Sequence, residues 1–161
     1  MSLREDAILR GDRPGIYSVV DKDPFAIVIP IDGDMIRLVR QFRYPVQREY
    51  WELPQGNIEG EPNATPEEIA NRELGEETGR VADKMTYLGL LYPAYGLLSQ
   101  EMHVFLAEGL KQAEGFSLDE GEHDLISEDF PISSLDSMID SGAIRDGCTL
   151  AALYLWNRKR A

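Results

Sequence analysis

GNIEGEPNATPEEIANRELGEETG, residues Gly56 to Gly79, sets two physical penalties against each other and so identifies itself. Thr65 followed by Pro66 and Glu68 is a capping-box start, and Gly79 is a left-handed stop. These signals predict a helix over Glu67 to Thr78, about three turns long. Its last turns carry Arg72, Glu73, Glu76 and Glu77. The three glutamates are spaced i, i+3 and i+4, so they project from one helical face and repel by a few tenths of a kcal/mol per pair. They also lie near the helix C-terminus, where the macrodipole disfavours each anion by roughly 0.3–1 kcal/mol. A solvated acidic face is the ordinary reading of such a cluster. The alternative is that a cation repays both penalties, and clustered hard oxygens suit Mg2+ or Mn2+.

The segment RELGEETG resembles the Nudix box, whose helical half runs Arg-Glu-apolar-x-Glu-Glu-x-Gly-apolar. Arg72, Glu73, Leu74, Glu76, Glu77 and Gly79 fall in place, and Arg80 stands where an apolar residue is usual. The stretch from Gly56 to Arg72 is two residues longer than the pattern, which leaves Glu59 and Glu61 as alternatives for the first box glutamate. RQFRYPV followed by WELPQG resembles the segment that precedes the box in ADP-ribose pyrophosphatases. That resemblance implies a substrate contact from Arg43 and a main-chain carbonyl at Gln55 in the metal shell, and Arg40 and Gly56 are further substrate-binding candidates. The loop YPAYGLLSQ keeps Tyr92, Pro93 and Gly96 of the family pattern but places Tyr95 and Ser99-Gln100 at its second proline and acidic positions. Tyr95 is a candidate for stacking on a base, or a loop tyrosine that merely packs. Glu120 and Glu122 match a Glu-x-Glu pairing in the loop that supplies a water-activating glutamate in these enzymes, with Glu122 favoured. His103 and His123 match no motif and read as structural or solvent-exposed.

With 161 residues and 43% hydrophobic content, the chain is expected to form one domain spanning residues 1–161. The formal charge of −13 argues against a nucleic-acid surface or an anionic membrane as partner. Cys148 is the only cysteine, so no internal disulfide and no cysteine-based zinc site is available, which fits a reducing cytoplasm. No apolar run approaches the ~20 residues of a membrane span.

Along the chain, Met1 to Pro14 reads as a polar, turn-rich segment, followed by strands over Ile16–Val20 and Phe25–Ile29. Asp32-Gly33-Asp34 is a hairpin signal leading into a strand over Met35–Tyr44. Alternation is expected to put Arg37, Gln41 and Arg43 on one face and Ile36, Leu38 and Phe42 on the other. Tyr50–Leu53, Lys84–Leu91, Glu101–Ala107 and Leu125–Pro131 read as further strands, and Leu110–Asp124 as an acidic loop. Ser133 or Ser134 is expected to cap a short helix through Ile139 that Gly142 ends. Asp146 or Thr149 opens a last helix over Leu150–Arg160, with an apolar stripe of Leu150, Leu153, Tyr154 and Trp156.

The resemblance, from about Gly15 to Leu155, implies the Nudix α/β/α sandwich with a mixed central β-sheet, in the α+β class. It implies Mg2+-dependent hydrolysis of a nucleoside diphosphate derivative, most like ADP-ribose, to AMP and ribose 5-phosphate. Glu73, Glu76 and Glu77 would be ligands, Arg72 an orienting partner of the box glutamates, and Arg43 the phosphate or ribose contact. A dinucleoside polyphosphate or nucleotide-sugar substrate is the alternative that Tyr95 and Gln100 suggest. A Nudix module that senses nucleotide sugars without cleaving them is a third reading, opposed by the retained box carboxylates. Relatives of this kind are commonly homodimers, which is the expected assembly.

Overall fold

The computed structural model describes residues 1–57, 63–113 and 124–160. Its centre is β3 (Phe25–Asp32), in which Phe25 to Pro30 are all buried. A strand apolar on both faces must be covered on both. Ile27 and Ile29 pack with Trp156, Leu153 and Leu38, whereas Ala26 and Val28 pack with Ile69, Ala70 and Leu74. One face is therefore covered by α3 (Gly147–Arg160) and α2 (Leu135–Asp140), the other by α1 (Pro66–Thr78). That is the expected sandwich. β8 (Met102–Gln112) runs parallel to β3, while β7 (Arg80–Leu91) pairs antiparallel with β8, so the sheet is mixed.

A fork in the sheet positions everything that follows. β3 and β4 (Met35–Arg43) pair only at Ile31 with Ile36 and Asp32 with Met35. β5 (Arg48–Glu52) then pairs with β4 from Val39 to Arg43, and β6 (Gln55–Gly56) pairs with β3 at Ala26 and Ile27. β9 (Ile126–Pro131) pairs with Met35–Arg40 of β4. Because β9 lies beside β4 at the same residues as β3 and β5 do, those two share the opposite edge, and residues 48–56 fill the gap between the diverging strands. Val28 N–H donates to the Pro54 carbonyl at 2.9 Å across this gap.

Several expectations are corrected. Met1–Pro14 is not a turn-rich segment: β1 (Ser2–Arg10) and β2 (Arg13–Asp21) form a regular antiparallel hairpin around Gly11, which has φ +64°. None of residues 1–24 is buried, so the hairpin rests on its own ladder rather than on a core. The expected alternation fails at the end of β4, where Gln41 is buried and Phe42 is 42% exposed. The strand between Lys84 and Leu91 begins earlier, at Arg80, and β8 runs on to Gln112 into the expected loop. Ser134 precedes α2 but its hydroxyl donates to the Pro131 carbonyl and makes no cap bond. In α3, Leu153 and Trp156 are buried but Tyr154 is 68% exposed.

Candidate active site

The helix α1 follows its local signals. Thr65 is extended, at φ −71° and ψ 152°; its Oγ1 accepts the Glu68 N–H, and the Glu68 carboxylate accepts the Thr65 N–H at 2.8 Å. That main-chain donor holds the Glu68 carboxyl below its ordinary range. Gly79, at φ +62°, closes the helix with an N–H bond to the Gly75 carbonyl. Apolar contacts from Ile69, Ala70 and Leu74 fix which side of α1 meets the sheet.

That docking divides the glutamates the sequence groups together. Glu73 and Glu77, one turn apart, are buried, at 7% and 3% exposure. Glu76 lies at the edge, paired with Arg72 at 2.8 Å. The Gln55 N–H donates to Glu77 Oε2 at 2.9 Å. Gly56 presses on Glu73 so closely that a Cβ added there would sit 2.5 Å from Oε2. Only glycine lets the backbone of β6 approach the carboxylate in this way. Sinking two carboxylates costs several kcal/mol each unless partners compensate.

Beside this contact opens a cavity of about 640 Å³, lined among others by Phe25, Tyr50, Arg43, Glu52, Gln55 and Asp146. Its size suits a nucleotide-sized ligand. Arg43 leans into it with 40% of its side chain exposed, while its partner Glu52 is sunk at 6%. Nε of Arg43 donates to Glu52 Oε1 at 2.9 Å, and Nη2 lies 2.6 Å from the same oxygen as an ion pair. The Gln55 side-chain amide donates to Glu52 Oε2 at 3.3 Å and to Asp146 Oδ2 at 3.0 Å. Asp146 caps α3 by accepting the Thr149 N–H at 2.8 Å, and Thr149 Oγ1 accepts the Leu53 N–H at 3.0 Å. Burial raises the Glu52 carboxyl above its ordinary value, with Asp146 adding to the shift and Arg43 opposing it. The Cys148 thiol is pushed up to about 11 by burial and by the same two carboxylates, which disfavours its thiolate.

The structure thus gathers Arg43, Gln55, Gly56, Glu73 and Glu77 in one region. Arg40 goes elsewhere, its guanidinium 5.1 Å from the Trp51 ring and 3.8 Å from Glu49. Tyr95 is 85% exposed and does not line the cavity. Gln100 does line it, and donates to the Asp23 carbonyl at 2.8 Å. Glu59, Glu61, Glu120, Glu122 and His123 lie outside the described residues. Among the described residues no three His, Cys, Asp or Glu side chains converge as a complete cation cage. Sequence reasoning missed Glu52 and Asp146. A charge inside the short strand YWEL was the available signal for the first, and the Asp146-x-x-Thr149 spacing, read only as a helix start, for the second.

Residues 22–152 match the NUDIX domain model. The chain belongs to the Nudix family and is a pyrophosphatase-type hydrolase. It is 36% identical over 137 residues to the ADP-ribose pyrophosphatase of Bacillus subtilis (strain 168), a match covering 84% of this chain and 72% of that protein. To the ADP-ribose pyrophosphatase of Mycobacterium tuberculosis (strain ATCC 25618 / H37Rv) it is 32% identical over 130 residues, covering 80% and 61%. The ADP compounds hydrolase NudE of Escherichia coli (strain K12) is 30% identical over 129 residues, covering 80% and 67%. The crystal structure of an ADP compounds hydrolase shares the fold, with a TM-score of 0.80 at 19% identity over 98% of this chain and 92% of the other.

Proposed function

We propose that the protein hydrolyses the pyrophosphate bond of a nucleoside diphosphate derivative, with ADP-ribose giving AMP and ribose 5-phosphate. The observation that carries this reading is the juxtaposition of two buried box carboxylates, Glu73 and Glu77, with a cavity into which Arg43 reaches. Relatives named for ADP-ribose and ADP compounds support the substrate class.

The donor set fits Mg2+, with Mn2+ as substitute: hard carboxylate oxygens on α1, and a glycine at position 56 whose missing Cβ leaves the space that the Glu73 carboxylate occupies. Glu73, Glu77 and the Gln55 carbonyl would hold the cation, with Glu76 joining from the edge. One or two carboxylates suffice for Mg2+, which keeps several waters and takes the rest of its ligands from substrate phosphates. When bound, the cation supplies charge neutralisation of the diphosphate and a more acidic water. Arg43 binds the diphosphate by charge-assisted hydrogen bonds. Arg72 orients the carboxylate row through Glu76. Glu122, with Glu120 beside it, orients or deprotonates the attacking water.

The assembly in this reading is a homodimer in the cytoplasm. Its support is the β1–β2 hairpin, which exposes Leu3, Leu9 and Ile16 at 73%, 72% and 63% without a core of its own. Among the described residues no helix is long and apolar enough to cross a membrane. Light scattering after size exclusion is expected to give twice the monomer mass; the monomer mass would overturn the dimer.

Product analysis with ADP-ribose, ADP-glucose, GDP-mannose and diadenosine polyphosphates, in Mg2+ and in Mn2+, tests the substrate. AMP from ADP-ribose, abolished by Glu77→Gln, is the expected result. Turnover of dinucleoside polyphosphates alone would overturn it.

A further inference from the structure

The Arg43–Glu52 pair is asymmetric in a way that packing does not require. Filling the interior of β5 would be served as well by an apolar residue, and a buried ion pair contributes little stability over such a replacement. Instead the sunk carboxylate holds the guanidinium through a single oxygen, which accepts the Nε donor and lies 2.6 Å from Nη2, and the half-exposed side chain still reaches the cavity. Its second oxygen is occupied by the Gln55 amide. Gln55 is the point where three elements meet. Its side chain bonds Glu52 and the α3 cap residue Asp146, while its main-chain N–H bonds Glu77 of α1.

We propose that Glu52 and the Gln55 side chain are positioning residues that fix the Arg43 guanidinium relative to the box carboxylate Glu77. The proposal rests on the reading of Arg43 as the diphosphate-binding group. Its physical basis is distance: a substrate spanning Arg43 and the box helix reacts only if both are placed together, and displacement of one by about an ångström can cost two orders of magnitude in rate. Glu52 sets where Arg43 points. Gln55 ties that setting to the α3 N-terminus, a rigid support, and through its own backbone to Glu77.

The test combines Glu52→Gln, Gln55→Ala and Arg43→Ala with the double variants. Gln55→Ala keeps the main-chain N–H and carbonyl and deletes only the amide bridge. Inorganic pyrophosphate, followed by calorimetry, is the binding probe, because it carries the diphosphate without committing to a base or sugar. Kinetics with ADP-ribose and Mg2+ and thermal midpoints are measured alongside. Glu52→Gln is expected to weaken pyrophosphate binding and raise KM about tenfold, about 1.4 kcal/mol, and to lower kcat with it, because the diphosphate is then misplaced over the box carboxylates. Adding Arg43→Ala to it should cost no more than Arg43→Ala alone, the non-additivity of two residues acting as one unit. Gln55→Ala should both raise KM and lower kcat, since it loosens the tie to each end. Additive losses in the double variant overturn the proposal. So does a lowered thermal midpoint with unchanged binding and KM, which is the signature of a network that only fastens β5 to α3. Pyrophosphate binding indifferent to Arg43→Ala overturns it as well. Failure to cleave ADP-ribose, with the coupling in pyrophosphate binding intact, overturns the substrate assignment alone.

Discussion

The two sides of α1 carry the same residue type to different ends. On the inner side Glu73 and Glu77 are buried against β6, one under Gly56 and the other on the Gln55 N–H. On the outer side Glu76 and Glu68 are met by local partners, Arg72 and the Thr65 cap. An acidic helix therefore teaches little by its composition. What separates a carboxylate buried against the sheet from one met by a partner on its own helix is which strand the helix is docked on.

The sharpest way to break this division is Glu77→Gln, which keeps shape and removes charge. It should lower kcat by at least about 100-fold in the ADP-ribose assay. Gly56→Ala comes next. The added methyl meets only the tip of a flexible side chain, so stability should change by less than ~1 kcal/mol, whereas the displaced Glu73 carboxylate should cost about tenfold or more in kcat. Glu76→Gln should cost about tenfold at most, since its salt bridge with Arg72 is a partly exposed i,i+4 pair of about 0.3–0.5 kcal/mol. On the outer side the effects turn from activity to stability. Thr65→Ala should lower unfolding free energy by ~1 kcal/mol in a denaturant titration, with kcat unchanged.

The smallest effect is one of pH. The folded-state pKa of Glu68 is depressed, so its contribution is present above the ordinary carboxylate range and is lost as pH falls through the folded value. Stability measured from neutral pH downward should therefore decline less steeply in Glu68→Gln than in the parent. An identical slope in both would mean that the cap carboxylate is not ionically engaged.

The helix itself was legible because capping chemistry is local: Thr65, Pro66, Glu68 and Gly79 determine its ends without reference to the rest of the chain. The pairing of Arg43 with the cavity was legible only through the family resemblance. The inner and outer glutamates could not be told apart from spacing, since both sets satisfy the same helical geometry and only the docking on Ala26 and Val28 distinguishes them. The alternation in β4 misled for a related reason. A strand covered on both faces has no polar side, so Val39 and Gln41 are buried as well as Ile36 and Leu38. The strand over Ile16–Val20 is present as part of β2, but β1 and its pairing with β2 escaped because those residues are exposed and mixed in polarity, leaving no apolar period to read.

The parallel pairing of β3 with β8 has a kinetic consequence. Phe25 must find Met102 before the sheet closes, and the chain between them contains β4, β5, β6, all of α1 and β7. Arg43, Glu52, Gln55, Gly56, Glu73 and Glu77 all lie inside that loop. Closing it must be paid for in chain entropy before any of the contacts repay it, and topologies dominated by such distant pairings fold slowly. A ligand that binds the folded candidate site should therefore also raise protection of the β3 amides from hydrogen exchange.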